Sequence, residues 1–109
     1  MGQTAPGGVA VELIIHDAGV TAAVTGDLDL NTSPVLLDQV GGVFEGEPSE
    51  LTMDLTGVAF CDSAGISALI GLRQRGAERG WVLRVVNPQP AVRRMLVDFT
   101  GLGDYLNVT

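Results

Sequence analysis

Glu50-Leu51-Thr52-Met53-Asp54-Leu55-Thr56-Gly57-Val58-Ala59-Phe60-Cys61-Asp62-Ser63-Ala64-Gly65-Ile66-Ser67-Ala68-Leu69 joins two periodicities, and the change between them decides the fold. Leu51, Met53 and Leu55 alternate with polar residues, the pattern of a half-buried strand, and Gly57 is expected to break that run. After Asp62 the spacing changes. Ala64, Ala68 and Leu72 recur at i+4, with Ile66, Leu69, Ile70 and Ala77 beside them, so a helix with a broad apolar face is predicted. Arg73, Gln74, Arg75 and Glu78 are then left for solvent. Ser63 falls at or near the helix N-terminus, where serine and aspartate are preferred caps for the free N–H groups of the first turn.

Downstream, Gly80 is a plausible stop for this helix, and Trp81 to Val86 reads as a second strand. A strand, a helix and a strand from Leu51 to Val86 predict a right-handed crossover between parallel neighbours. Asn87-Pro88-Gln89-Pro90 turns into another helix, with Val92, Met95, Leu96 and Phe99 on one face and Gly101 at its end. Tyr105 to Val108 is a candidate short edge strand. Trp81 and Tyr105 are read as packing residues.

Upstream, Val9 to Ile15 and Val20 to Thr25 are rich in β-branched and apolar residues and flank Asp17-Ala18-Gly19, which predicts an opening hairpin with His16 at its turn. Gly26-Asp27-Leu28-Asp29-Leu30-Asn31-Thr32-Ser33-Pro34 then leads into a helix, with Ser33 as the expected cap and Pro34 in the first helical position. Leu36, Val40, Val43 and Phe44 form its core face, and Gly41-Gly42 weakens its second half. The expected fold class is α/β: one domain over residues 9–109, with a mixed sheet of four to five strands, a parallel core and packed helices. Met1 to Gly8 is expected to be a flexible tail.

With 109 residues and 46% hydrophobic content, the chain suffices for one packed core. Its net charge is −7, and its six basic residues are all arginines lying between Arg73 and Arg94. Nucleic acid is therefore not an expected partner, because phosphate contacts need a basic face. No apolar run approaches the roughly 20 residues of a membrane span, so no membrane partner is expected. A single cysteine, Cys61, excludes an internal disulfide and fits a reducing, cytoplasmic setting. The first residues lack a basic and then apolar stretch of secretory type.

Several chemistries fail on residue type. A serine hydrolase elbow needs Gly-x-Ser-x-Gly, whereas Cys61-Asp62-Ser63-Ala64-Gly65 lacks the first glycine, and His16 is the only candidate base. The chain has no lysine, which removes the phosphate-binding loop and Schiff-base mechanisms. Asp27, Asp29 and Asp54 lack calcium-loop spacing, and aspartates before a helix commonly make local turn hydrogen bonds. No catalytic residue, metal or cofactor is expected.

For Ser63 two readings stay open at this point. It is a helix cap, or it is a phosphoryl acceptor whose added charge of about −1.5 to −2 would be favoured by the helix N-terminus and opposed by Asp62.

Gly26-Asp27-Leu28-Asp29 with Thr32, Asp62-Ser63-Ala64-Gly65-Ile66 opening a helix, and Phe99-Thr100-Gly101-Leu102 near the end together resemble the three landmarks of the bacterial anti-sigma factor antagonists, the single-domain STAS proteins. The resemblance covers about residues 9 to 108. It implies a partner-switching protein that binds an anti-sigma factor and so frees a sigma factor. In that family the anti-sigma factor is also an ATP-dependent serine kinase, so ATP would belong to the partner and a serine phosphatase would reset the switch. The serine after the motif aspartate is the family's acceptor, here Ser63. Where some members carry Ser or Thr next, this chain has Ala64, leaving one hydroxyl in the motif. The implied partner-binding set is Asp27, Asp29, Thr32, Asp62, Ser63, Ala64, Gly65 and Ile66. An unphosphorylated STAS scaffold or a ligand-sensing module is the alternative.

Overall fold

A computed structural model describes residues 8–109. Except for Gly8, the tail expected over Met1 to Gly8 lies outside the described residues. The central strand pair is built from β2, Gly19–Leu28, and β3, Glu50–Cys61, which run parallel. β1, Val9–His16, pairs antiparallel with β2 through the expected hairpin, and β4, Val82–Val86, pairs parallel with β3. The order β1-β2-β3-β4 makes a mixed, four-stranded sheet with a parallel core, within the expected range.

Alternation sets the faces. Ala22 and Val24 on β2, Leu51, Met53 and Leu55 on β3, and Leu83 and Val85 on β4 are all buried, while Thr52, Asp54 and Arg84 between them are half-buried. Helix α1, Ser33–Gly41, and helix α2, Ser63–Glu78, pack against each other and contribute Leu36, Val40, Leu69 and Leu72 to the same core. A 3₁₀ segment, Gly42–Glu45, continues α1 and buries Phe44 edge-on against Trp81. The weakening foreseen at Gly41-Gly42 is thus a change of helix type. A four-residue helix α3, Pro90–Arg93, runs into a π-helical turn, Arg94–Phe99.

Five expectations need correction. Gly57 does not end the strand; β3 continues to Cys61. Two register slips, each adding one residue to β3, bend it there, and a β-carbon on Gly57 would stand 2.9 Å from Thr25 Oγ1. Burial accordingly switches from every second residue to every third: Leu55, Val58, Cys61.

Phe99 does not share the buried face of Val92 and Leu96 but is 72% exposed. A π turn holds more residues than the 3.6 of an α turn, so the 3.6-residue pattern loses its phase there. Ala77 is exposed, and Arg73 is half-buried, its guanidinium 4.0 Å over the Tyr105 ring with Nε donating to the Tyr105 carbonyl at 2.9 Å. Finally, the end of the chain forms one parallel bridge, Val108 to Val85, and not a fifth strand.

Candidate functional site

The carboxyl ends of β2 and β3 lie side by side, with Asp27 opposite Phe60 and Leu28 opposite Cys61. The Asp62 N–H donates to the Leu28 carbonyl at 3.0 Å, so the Asp27–Thr32 loop and the start of α2 are tied together. In parallel sheets, sites commonly form in the crevice beyond the carboxyl ends of the strands.

Asp62 is the N-cap of α2. Its Oδ1 accepts from Ala64 N at 2.9 Å and Gly65 N at 3.2 Å. Ser63 is therefore the first helical residue, not the cap, and its side chain is exposed. Of the two residues offered as cap, Asp62 takes the role and leaves the Ser63 hydroxyl free of it.

The neighbouring loop is organised by Asp29 and Thr32. Asp29 Oδ1 accepts from Asn31 N at 2.9 Å and Thr32 N at 3.0 Å, a local turn of the kind aspartate favours. Thr32 Oγ1 accepts from Asp29 N at 3.0 Å and donates to the Asp27 carbonyl at 2.6 Å. Thr32, not Ser33, occupies the cap position of α1, and its hydroxyl is spent on the loop and not on the helix. Ser33 is the first helical residue; its buried Oγ has no hydrogen-bond partner among the described residues.

Of the eight residues foreseen here, Asp27, Asp29, Asp62 and Ala64 are half-buried and Ser63 is exposed. Thr32, Gly65 and Ile66 are buried, with Ile66 only 7% exposed in the core. These three hold the surface in place and do not themselves present a contact. What sequence reasoning missed is the apolar ground beside Ser63. Leu30 is 76% exposed, and with Pro34 and Leu37 of α1 and Ala64, Ser67 and Ala68 of α2 it lines a groove of about 370 Å³. Phe60, next to last in β3 and opposite Asp27, is also exposed. An apolar residue inside an otherwise polar loop, Asp29-Leu30-Asn31, was the available signal.

Other chemistry is not assembled. His16 lies at the opposite end of the sheet, opposite Gly19, with Nε2 2.9 Å from Thr21 Oγ1, and so cannot serve Ser63 as a base. Among the described residues no three His, Cys, Asp or Glu side chains are grouped to hold a metal ion. The Asp54 carboxylate faces Thr56, whose hydroxyl donates to it at 2.7 Å and, with help from Thr56 N and Asn87, holds its pKa below the usual value. Cys61, beneath the site, is buried, and desolvation together with the Asp62 charge pushes its thiol up to about 11. Among the described residues no helix is long and apolar enough to cross a membrane.

A family model described as "Mlab, STAS domain" matches residues 12–106. The anti-sigma-F factor antagonist RsfB of Mycobacterium tuberculosis is 28% identical over 73 residues, which is 67% of this chain; the match spans 60% of RsfB's length. The crystal structure of an anti-sigma factor antagonist from Mycobacterium paratuberculosis superposes with a TM-score of 0.84 at 28% identity, covering 97% of this chain and 89% of that one. SpoIIAA, an anti-sigma factor antagonist solved in its unphosphorylated form, shares the fold at a TM-score of 0.75 and 20% identity, over 92% of this chain and 88% of that one.

Proposed function

The chain belongs to the STAS domain family, and on that premise we propose that it is an anti-sigma factor antagonist, switched off when its anti-sigma factor partner phosphorylates Ser63. The observation that carries this reading is the separation of roles at the start of α2: Asp62 caps the helix, so the exposed Ser63 hydroxyl has no structural duty. The antagonist names of the relatives at 28% identity support the partner class.

The same geometry weighs the two opposing effects of a phosphoryl group. Ala64 N and Gly65 N, the donors that would welcome an anion, are already taken by Asp62 Oδ1. A charge of about −1.5 to −2 on Ser63 would meet Asp62 at close range with those donors engaged, so repulsion dominates over helix-terminus stabilisation. Asp27 and Asp29 extend the acidic surface. A partner docked against Leu30, Ser63 and the α1–α2 groove would be expelled by added like charge and by the cost of desolvating it. A reset by a serine phosphatase completes the cycle.

The test is incubation with ATP and an anti-sigma factor from the same genome, read by intact mass. One phosphoryl addition is expected, absent in Ser63→Ala. Ser63→Ala should still bind the anti-sigma factor, and Ser63→Asp should bind at least tenfold more weakly, about 1.4 kcal/mol. Equal calorimetric affinity of the two variants would end the repulsion argument, and a chain left unmodified by every anti-sigma factor of that genome would end the switch.

A further inference from the structure

The two edges of the sheet differ. The β4 edge is partly covered by the bridge between Val85 and Val108, whereas among the described residues no strand pairs with the outer side of β1. Natural edges are commonly blunted by a bulge, a proline or a very short strand. β1 has none of these: its eight residues, Val9–His16, contain no proline and pair with β2 without a register slip. Leu13, Ile14 and Ile15 follow one another along it with exposed side chains, Ile15 to 83%. Successive strand residues point to opposite faces, so both faces of the edge are apolar here. Leu13 stands opposite Ala22 on the face that α1 and α2 cover, and Ile14 opposite Thr21 on the open face.

We propose that β1 pairs antiparallel with β1 of a second copy of this chain, about a two-fold axis at Ile14, so that the two sheets become one. The register follows from backbone and charge together. Along β1 the N–H and C=O groups of successive residues point alternately to β2 and outward, and in an antiparallel pair a residue must stand opposite one of its own kind. A symmetric pair therefore has some residue opposite its own copy. With Glu12 on the axis, two carboxylates meet. With Leu13 there, Glu12 faces Ile14; with Ile15 there, His16 does. Only with Ile14 on the axis does Glu12 face His16, twice by symmetry, while Leu13 faces Ile15, also twice. Directly opposite residues stand about 4.5–5.5 Å apart, close enough for each such pair to contribute. Imidazole has two nitrogens, so the exposed contact of His16 Nε2 with Thr21 Oγ1, at 2.9 Å, does not exhaust it. The net charge of −7 on each copy opposes association, so the apolar and Glu12–His16 pairs are what hold the dimer. His16 and its neighbours lie at the end of the sheet remote from Ser63, so this surface is independent of the reading given to that residue above.

Sedimentation velocity of the full chain over about 1 to 500 µM is expected to show a monomer–dimer equilibrium with a dissociation constant below about 100 µM, as suits a small interface. His16→Glu sets a carboxylate opposite Glu12 on both sides of the axis and should weaken the dimer at least about tenfold. Combining it with Glu12→Lys restores opposite charges and should return the constant to within about threefold of the original. Glu12 and His16 are exposed, so far-ultraviolet circular dichroism should be the same for all three proteins. Register is read separately by oxidation: Ile14→Cys meets its own copy at a spacing a disulfide accepts and should form a covalent dimer, whereas Leu13→Cys faces Ile15 and should not. Buried Cys61 is common to both variants. A chain still monomeric at about 500 µM would overturn the proposal and leave the edge to a strand of a different protein. A dimer indifferent to His16→Glu, a charge swap that fails to restore association, or equal cross-linking of the two cysteine variants would each overturn it as well.

Discussion

Gly65 on α2 is packed directly against Leu28 at the end of β2: a β-carbon on Gly65 would stand 2.7 Å from both the Leu28 β-carbon and its carbonyl oxygen, and 2.8 Å from Cys61 Sγ. Because the Leu28 carbonyl also accepts the Asp62 N–H, the absence of a side chain at Gly65 lets the Ser63 turn sit against the Asp27–Thr32 loop. Two of the three close atoms belong to the Leu28 backbone or its β-carbon and cannot swing away.

Gly65→Ala is therefore expected to lift the first turn of α2 off the strand ends. The cost of such overpacking is about 1–3 kcal/mol, readable as a lower urea midpoint. Phosphorylation of Ser63 should slow as well. An unchanged midpoint would mean that the close approach relaxes without strain.

Thr32 and Asp29 act as one unit. Thr32→Val keeps the volume of a residue that is 3% exposed but strands the Asp27 carbonyl and the Asp29 N–H, for an expected loss of about 1–3 kcal/mol. Asp29→Ala frees Asn31 N and Thr32 N at a more exposed position, and should leave the domain folded while impairing phosphorylation by the anti-sigma factor. Normal phosphorylation kinetics in Asp29→Ala would remove that loop from the docking surface.

The sheet was legible because its rule is simple: Leu51, Met53 and Leu55 alternate, and so do the buried positions. Prediction failed where the backbone left its regular period. The bulges at Gly57 convert a two-residue rhythm into a three-residue one, and the π turn carries Phe99 out to solvent. Neither is written in local propensity, since both depend on what the segment packs against. The start of α2 at Ser63 was legible from Asp62-Ser63-Ala64-Gly65, whereas the groove beside it was not. It exists only because α1 and α2, separated by β3 in the chain, meet in space around Leu30.

Cys61 ties stability to alkaline pH. The unfolded thiol titrates near 9.0 and the folded one at about 11, so above pH 9 the unfolded chain holds fewer protons than the native state. Stability is then fully present below pH 9 and falls as pH rises to about 11. Denaturation midpoints measured between pH 8 and 11 should show this decline, and Cys61→Ala should flatten it relative to its own value at pH 8. The native thiol should also resist alkylation at pH 8. A slope identical in both proteins would assign the alkaline loss to other groups.

Leu30 offers the sharpest separation of binding from folding. It projects from the Asp29–Thr32 turn, 76% exposed, and lines the groove next to Ser63, so it makes little of the core and much of the proposed docking ground. Leu30→Ala should change stability by less than about 0.5 kcal/mol, as exposed positions usually do. If the anti-sigma factor seats an apolar side chain there, the same substitution should weaken binding at least tenfold, about 1.4 kcal/mol. Loss of a rim charge such as Asp27 or Asp29 would instead act mainly on the association rate. The change should appear in the dissociation rate, and surface plasmon resonance with the unphosphorylated protein distinguishes the two. Unaltered dissociation from Leu30→Ala would place the contact elsewhere around Ser63, with exposed Phe60 the next position to substitute.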